Sequence, residues 1–383
     1  MTAAGAATFG AAVSEHPDPA HAVGEAAGAV LDQVGPGADI ALLFVTGPHV
    51  DAMGDIAAAV HTILQPGAFI GTTAVGVIGG PTEVEDIPAV SVWAGRTGTS
   101  EAVRLEVVRS SDGTAIIGMP DDAAVGRRTL ILLTEPYSFP TEAFVRASNE
   151  QYPNLTIVGG MASAGGPGAN RLAVQGEIHV EGAVGILLPD GTDDRAVVSQ
   201  GCRPVGDPFI VTASDRNLVH GLGSRPALER LRTLIDDAEE DDRALLARGL
   251  HVGLVVDESV AEFERGDFLI RGVLGADHDA GAIRIGDHAP VGTTLQFHVR
   301  DAASASADLQ ELLGPVEADA ALVFTCNGRG TQLFESPDHD AELVHDAVHG
   351  GAVAGMFCAG ELGPVRGQNH VHGVTASVLL FYG

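Results

Sequence analysis

The sequence repeats one pattern of secondary structure three times, and this repeat limits the possible folds more than any other feature. Each copy has an apolar strand, a helix with one apolar face, a second strand that runs into glycines, and a closing apolar strand. The first strands occupy residues 41–47, 130–134 and 321–326, and the second strands reach their glycines at Gly71, Gly159 and Gly355. A unit of this size cannot bury both faces of its strands alone, so we expect the three copies to pack together.

The helix of the third copy is predicted from local signals at both ends. Ser336 and Pro337 are typical of an N-cap and a first-turn proline, and Gly350–Gly351 is typical of a helix end. We therefore expect this helix to start beside Ser336.

The length of 383 residues favours two domains at about 150 residues each. The strands are apolar along their whole length, which favours sheets that are covered on both faces. Aromatic residues make up only 4% of the chain, so the core must consist of Ala, Val, Leu and Ile. We predict a mixed α/β (α+β) protein of two similar layered domains, residues 1–200 and 201–383, built from repeated strand–helix–strand–strand units with helices over the sheets.

The formal net charge is −30, and all 21 basic residues are arginine. A surface this acidic excludes general binding to nucleic-acid phosphates and argues against docking on anionic membranes. The lack of lysine in the sequence excludes a GxxxxGK phosphate loop and any cofactor held as a Schiff base. We therefore expect no nucleic-acid partner, no membrane partner and no cofactor.

The compartment is predicted from the cysteines and the N-terminus. Three cysteines give no disulfide framework, which favours a reducing environment. The first 13 residues lack the basic start and long apolar block of a signal peptide. No stretch approaches the roughly 18 uninterrupted apolar residues of a membrane span. We expect a cytoplasmic protein.

Motifs in both halves of the chain resemble those of the FIST family. In the N-terminal half they are residues 43–45, 70–79 (IGTTAVGVIG), Glu83, 158–163 (VGGMAS) and the joining segment 198–206. In the C-terminal half they are residues 268–272, Asp277, 326–330 (CNGRG), Phe334, 355–364 (GMFCAGELGP) and 372–373. The resemblance runs from about residue 39 to residue 381. It implies a cytoplasmic sensory module that binds a small molecule, such as an amino acid or its derivative, and signals through an unidentified partner protein.

The glycine turns are the candidate ligand-binding elements. Glycine lets backbone N–H groups approach a ligand closely, which suits carboxylates and other small anions. If the copies are related by pseudo-symmetry, their glycine segments should converge on one site. In the third copy, Gly328, Gly330 and Gly360 would give access to it, beside Asn327. The alternative is that the glycines only permit tight turns or close strand packing.

Arg329 and Glu361 follow the two glycine segments of the third copy. An arginine offers a planar fork to a carboxylate, and a glutamate can hold an amino group, so the two would suit an amino-acid-like ligand. The alternative is a structural ion pair between these two side chains. Arg271 and Asp277 allow the same two interpretations.

Cys326 and Cys358 suggest a different function. A thiolate near Arg329 could be activated for nucleophilic catalysis, with His372 or His339 as the base. The alternative is that both cysteines are small buried hydrophobic residues. We assign no catalytic residue and keep Cys326, Cys358 and His372 as ligand-binding candidates. A cysteine-dependent enzyme on a small metabolite, or a protein-interaction scaffold, is the alternative to the sensory function.

Histidines and aspartates cluster in the C-terminal half. His345 and His349 are four residues apart on the predicted helix and would share a face, as metal ligands do. The step Asp338–His339–Asp340 also places ligand types together. Because the sequence has neither an HExxH motif nor a CxxC pair, we predict no metal site.

Overall fold

A computed structural model of the chain describes residues 8–110, 113–260 and 262–383. Contacts divide the chain into two compact units. The first unit holds the residues up to Val198 with Leu309–Val371 and Thr375–Gly383, and the second holds Ser199–Asp308 and His372–Val374. The second unit begins beside the predicted boundary at residue 200, but the third copy of the repeat belongs to the first unit. This division differs from the predicted domain 201–383, because the chain returns to the first unit at Leu309.

The first copy begins with an edge strand and a helix that precede the predicted pattern. Its elements are β1 (Phe9–Ser14), α1 (Pro19–Val34), β2 (Ile40–Thr46), α2 (Met53–Leu64), β3 (Ala68–Ala74), β4 (Gly76–Gly79), β5 (Thr82–Glu85) and β6 (Val90–Gly95). Helix α1 starts where the Asp18 carboxylate accepts the N–H of His21 at 3.0 Å and Pro19 fits the first turn. Strands β2, β3 and β6 are buried along their whole length, as their apolar pattern predicts.

The second copy follows the same order with one replacement. Its elements are β7 (Glu101–Ser110), β8 (Gly113–Ile117), β9 (Arg128–Thr134), α3 (Thr141–Gln151), β10 (Leu155–Met161), β11 (Leu172–Val174), β12 (Glu177–His179) and β13 (Ala183–Leu187). Strand β8 and a short 3-10 turn, Asp121–Ala124, stand where the first copy has α1.

The second unit is an antiparallel sheet with two helices, and β14 (Asp194–Gln200) leads into it. Its elements are β15 (Cys202–Asp215), β16 (Leu218–Leu222), β17 (Arg225–Pro226), α4 (Ala227–Asp237), α5 (Glu240–Arg248), β18 (Leu250–Val255), β19 (Phe268–Asp277), β20 (Ala282–Ile285) and β21 (Thr294–Arg300). Strand β15 pairs with both β21 and β16, so the sheet closes on itself. Val252 and Phe297 pack there in one apolar cluster with Leu228 of α4.

The third copy completes the first unit. Its elements are α6 (Ala302–Leu313), β22 (Ala320–Cys326), α7 (His339–Ala347), β23 (Ala352–Cys358), β24 (Glu361–Val365), β25 (Gln368–His372) and β26 (Thr375–Phe381). Helix α7 begins at His339, so the prediction of a start beside Ser336 is wrong. The residue before it, Asp338, has a φ of 64° and makes no side-chain cap. The cap comes from another copy of the repeat.

The three copies exchange hairpins in a cycle. The β4–β5 hairpin of the first copy pairs with β23 of the third, and the β24–β25 hairpin of the third pairs with β10 of the second. The β11–β12 hairpin of the second copy pairs with β3 of the first. Each of the three sheets of the first unit therefore contains strands from two copies, and none of the copies completes its sheet alone.

Each of the three sheets has an inner and an outer apolar face. Phe44, Leu133 and Phe324, one from each copy, belong to a single inner cluster. On the outer faces, α1 and α2 cover the first sheet, and α6 and α7 cover the third. These layers confirm the predicted mixed α and β fold with helices over the sheets. None of the described helices is long and apolar enough to cross a membrane.

Candidate functional site

The ends of β3, β10 and β23 meet in the first unit, and Ser163 connects them. The Ser163 hydroxyl accepts the N–H of Val75 at 3.0 Å and donates to the carbonyl of Phe357. The Ser163 N–H donates to the carbonyl of Thr73 at 3.3 Å. Ser163, from the second copy, is therefore hydrogen-bonded to segments of the first and third copies. We name this region, together with the loop of residues 326–330, the strand-end junction.

Gly71, Gly159 and Gly355 hold equivalent positions in β3, β10 and β23. A Cβ at Gly159 or Gly355 would lie 1.9 Å from the carbonyl oxygen of Leu132 or Val323 on the neighbouring parallel strand. At Gly71 the same contact would be 2.9 Å. These distances are below any real Cβ contact, so the glycines are needed for close strand packing. This supports the packing alternative for these three positions.

Arg329 is buried against Asp340. Its Nε and Nη2 donate to the two carboxylate oxygens of Asp340 at 2.7 and 2.8 Å, and both side chains are 0% exposed. The Thr325 hydroxyl donates to the same carboxylate at 2.7 Å. Burial alone would raise the pKa of Asp340, but the Arg329 charge and these hydrogen bonds outweigh it and lower that pKa. Arg329 thus forms its ion pair with Asp340 and not with Glu361.

One N–H group of the Arg329 guanidinium does not take part in the pairing with Asp340. Its Nη1 is buried and has no hydrogen-bond partner among the residues that the structure describes. A buried donor without a partner costs about 1–3 kcal/mol. A group that accepted this hydrogen bond would therefore be stabilised at the junction.

Glu83, from β5 of the first copy, caps helix α7 of the third. Its Oε1 accepts the N–H groups of Asp340 and Ala341 at 2.9 and 3.1 Å. In return, the Asp338 carboxylate accepts the N–H of Glu83 at 2.6 Å. Burial, and then the nearby Asp340 charge, raise the pKa of Glu83 to about 8. Oε2 of Glu83 has no partner among the described residues.

Glu361 occupies a position that holds an apolar residue in each of the other two copies. It pairs with Gly160 in the register of β10 and β24, and the equivalent positions hold Val77 and Leu172. Its Oε2 accepts the N–H and the hydroxyl of Thr375 at 3.1 and 2.8 Å. Its Oε1 is buried and lacks a partner within the described part of the chain. Burial raises the pKa of Glu361 to about 8.

Cys326 and Cys358 are partners in the register of β22 and β23. The Cys326 thiol donates to Oδ1 of Asn327 at 3.8 Å, and its sulfur accepts the N–H of Gly328 at 3.5 Å. The thiol also acts to lower the pKa of the nearby Glu361 carboxyl, against the larger effect of burial. Cys358 is completely buried, and burial raises the pKa of its thiol well above the ordinary value. Cys358 therefore fits the buried-hydrophobe alternative, whereas Cys326 lies among polar groups.

The loop of residues 326–330 requires glycine at its last position. Gly330 has a φ of 53°, and a Cβ there would lie 2.6 Å from Oε1 of Glu85 and 2.7 Å from the Phe357 ring. The same Glu85 oxygen accepts the N–H of Thr331 at 2.9 Å. The hairpin of the first copy thus holds the loop of the third.

A pocket of about 230 Å³ opens beside this loop, and Asn327 is exposed at its wall. Its lining consists of Val75, Glu85, Asp86, Asn327 and Gln332. Arg329 and Glu361 do not line this pocket; both are buried. The walls of the pocket carry two acidic side chains, which favour a cationic group in it.

Several other candidates lie outside the junction. Arg271 and His372 belong to the second unit, and Nε of Arg271 donates to Asp287 at 2.8 Å. Nδ1 of His339 lies 3.0 Å from the Asp340 carboxylate. His349 follows the end of α7, so it does not share a helix face with His345, and that expectation is wrong.

Two central residues of this site, Asp340 and Glu83, were not predicted from the sequence. Asp340 resembles a metal ligand by residue type alone, and Glu83 stands out only as part of a family motif. The position at which α7 starts decides whether Asp338 or Asp340 is buried. The predicted start of this helix was wrong, so the buried position of Asp340 was not predicted. The single available signal for Glu83 was its place in that motif.

The first unit is a cyclic, repeat-built α/β unit with buried ionisable groups at its strand ends. The family model described as the FIST N domain matches residues 39–225, and the FIST C domain model matches residues 227–364. The chain belongs to the FIST family, whose domains are associated with small-ligand sensing and signal transduction. This confirms the resemblance in the sequence motifs.

Similar proteins occur in mycobacteria. The uncharacterized protein Rv0628c of Mycobacterium tuberculosis is 43% identical over 383 residues, which cover 97% of this chain and 99% of that protein. The uncharacterized protein Mb0898c of Mycobacterium bovis is 41% identical over 381 residues, which cover 97% of this chain and 98% of that protein.

Proposed function

We propose that this chain is a cytoplasmic sensory protein that binds a small, amino-acid-like metabolite at the strand-end junction and reports it through a partner protein. The family association with small-ligand sensing supports the general function. The observation that carries the proposal is that two buried polar atoms, Nη1 of Arg329 and Oε1 of Glu361, have no hydrogen-bond partner among the described residues.

The unpaired atoms define the chemistry of the ligand. Nη1 of Arg329 is a donor, which suits a carboxylate, and Oε1 of Glu361 is an acceptor, which suits an ammonium group. The charges of these two side chains interact with each other, although Arg329 is paired with Asp340. A zwitterion would satisfy both atoms at once.

Entry to these atoms would begin at the pocket beside Asn327. Its volume of about 230 Å³ suits a metabolite of a few heavy atoms. Because Arg329 and Glu361 lie deeper than its walls, binding requires the 326–330 loop to move. Gly328 and Gly330 give that loop its backbone freedom. Asn327, Gly360 and Cys326 would contact the ligand along this path.

A thermal-shift screen against amino acids and related metabolites tests this function. A ligand that binds the folded chain should raise the melting temperature, and the shift should grow with ligand concentration. Glu361→Gln keeps an acceptor for Thr375 but cannot ionise to pair with an ammonium group of the ligand, so it should abolish the shift. Glu342→Gln on the exposed face of α7 is the matched control and should keep it. No shift with any compound, or an unchanged shift in Glu361→Gln, would refute the proposal.

One observation favours a second function, a cysteine-dependent enzyme. Cys326 lies close enough to Glu361 to act on the pKa of its carboxyl, and the ionised carboxylate could accept the thiol proton. Alkylation by iodoacetamide, followed by peptide mass spectrometry, should then modify Cys326 faster than the buried Cys358. Equal, slow modification of both cysteines would exclude a reactive thiol.

A further inference from the structure

The described residues of the second copy form no counterpart to one helix that the other two copies have. In the first copy, α1 lies between the edge strand β1 and β2 and packs with α2 on the outer face of the sheet. In the third copy, α6 precedes β22 and packs with α7 in the same way. Between β7 and β9 of the second copy, the described residues form β8 and a 3-10 turn, so α3 is the one described helix on that face.

A groove of about 800 Å³ lies at this place, between α3 and the β7–β8 hairpin. We name it the outer groove. Four of its lining residues are only partly buried apolar residues that pack against the outer core of this sheet: Val107, Ile116, Met119 and Tyr152. Tyr137 at its wall is 59% exposed. The outer core of the second copy is therefore less covered than the cores beneath α1 and α6.

The α3 side of the groove has the surface of a helix-packing interface. Ala143, Ala147 and Gln151 line it, at a spacing of four residues along α3. Residues at this spacing share one helix face, and small side chains allow a second helix to approach to about 8–10 Å between axes. Such a surface fits an amphipathic helix that lays its apolar face in the groove.

The charge of the groove limits which helix fits. Arg109 lines both the outer groove and an adjoining pocket that also contains Arg104. Glu106 and Glu181 lie beside Arg104 and interact with its charge, whereas Arg109 lines the outer groove itself. A second copy of this chain carries a net charge of −30 and would be repelled. A separate protein with an acidic residue at one end of its helix would be attracted.

We propose that the outer groove binds an amphipathic helix of a partner protein, with small or aliphatic residues on its buried face and an acidic residue against Arg109. This gives the partner of the proposed function a place on the molecule. The docking itself is independent of the metabolite and is tested without it.

The binding probes are peptides that copy α1 and α6, the helices that cover the equivalent sheet faces in the first and third copies. Two hydrocarbon-stapled, fluorescein-labelled peptides, copies of α1 (Pro19–Val34) and α6 (Ala302–Leu313), are titrated with the full chain, and fluorescence anisotropy is measured. At least one should bind saturably. Arg109→Glu should weaken that binding, and the loss should shrink as salt is raised.

The variant that blocks the groove has a matched control. Ala143→Arg puts a bulky charge on an exposed groove position of α3 and should weaken binding about tenfold or more. Ala58→Arg makes the same change at an exposed position of α2 and should have no effect. Absence of saturable binding by both peptides, or equal binding by the two variants, would overturn the proposal.

Sedimentation of the chain alone, which measures self-association, tests whether a second copy of the chain occupies the outer groove. Self-association that Ala143→Arg abolishes and Ala58→Arg does not would mean that a second copy fills the groove, which also overturns the proposal. Neither result would change the metabolite-induced thermal shift, so a failure here is distinguishable from a failure of the proposed function.

Discussion

The carboxylate of Glu83 accepts the backbone N–H of Asp340, although the two residues are 257 positions apart in the chain. Through this contact, the exchanged hairpin of the first copy fixes the start of α7 in the third. Asp340 in turn holds Arg329 by two hydrogen bonds. The exchanged hairpin thus helps to position the buried ion pair of the junction.

Glu83→Ala should destabilise the chain more than the same change at an exposed position of α7. It removes the acceptor of two first-turn N–H groups, and the loss of a cap costs about 0.5–2 kcal/mol. Urea denaturation measures the free energy of unfolding, with Glu342→Ala as the control. Equal effects of the two substitutions would show that Glu83 does not cap α7.

Asp340→Asn should be among the most destabilising isosteric changes in the first unit. It leaves the Arg329 charge buried without its counter-ion, which costs about 3–5 kcal/mol. Replacing both residues, as Arg329→Met with Asp340→Leu, should cost less than the single change, because no unpaired charge remains. Denaturant unfolding of the three proteins checks this. A cost below about 1 kcal/mol for Asp340→Asn would contradict a buried ion pair.

Glu361 should make the stability of the chain depend on pH in a defined direction. Its pKa is raised from 4.5 in the unfolded chain to about 8 in the folded chain. Between these values the unfolded state has lost a proton that the folded state keeps, so stability falls as pH rises. The slope from one such group is at most about 1.4 kcal/mol for each pH unit.

Glu361→Gln should remove this contribution because glutamine resembles the neutral acid. Unfolding free energies at pH 5, 6, 7 and 8 should therefore fall less steeply in Glu361→Gln than in the unmodified chain. Parallel curves for the two proteins would mean that Glu361 is ionised in the folded state.

Gly355→Ala should destabilise the first unit by steric overlap alone. Its Cβ would lie 1.9 Å from the Val323 carbonyl, and forcing extra atoms into a packed core costs about 1–3 kcal/mol or more. Gly166 is exposed, and a Cβ there meets nothing within 4 Å, so Gly166→Ala is the control. A drop in melting temperature for Gly355→Ala, with little change for Gly166→Ala, is expected. Equal melting temperatures would contradict the strand-packing role.

The repeat was predictable from the sequence because its signals are local. Apolar strands, helix periodicity and glycines at matching positions identified all three copies. The hairpin exchange was not predictable, since hairpins such as Gly76–Glu85 are short and their pairing with β23 is set by contacts hundreds of residues away. The same applies to the partner of Arg329. Glu361 and Asp340 are both acidic, and only the register of β24 and the start of α7 decide which one the guanidinium meets.

Native mass spectrometry tests the ligand site most directly. The chain, incubated with a mixture of amino acids and the matching 2-oxo acids, should retain one zwitterionic compound as a discrete mass increase. The increase should persist in Glu342→Gln and disappear in Glu361→Gln. Retention of no compound, or equal retention by Glu361→Gln, would contradict a ligand site at the junction of the three strand ends.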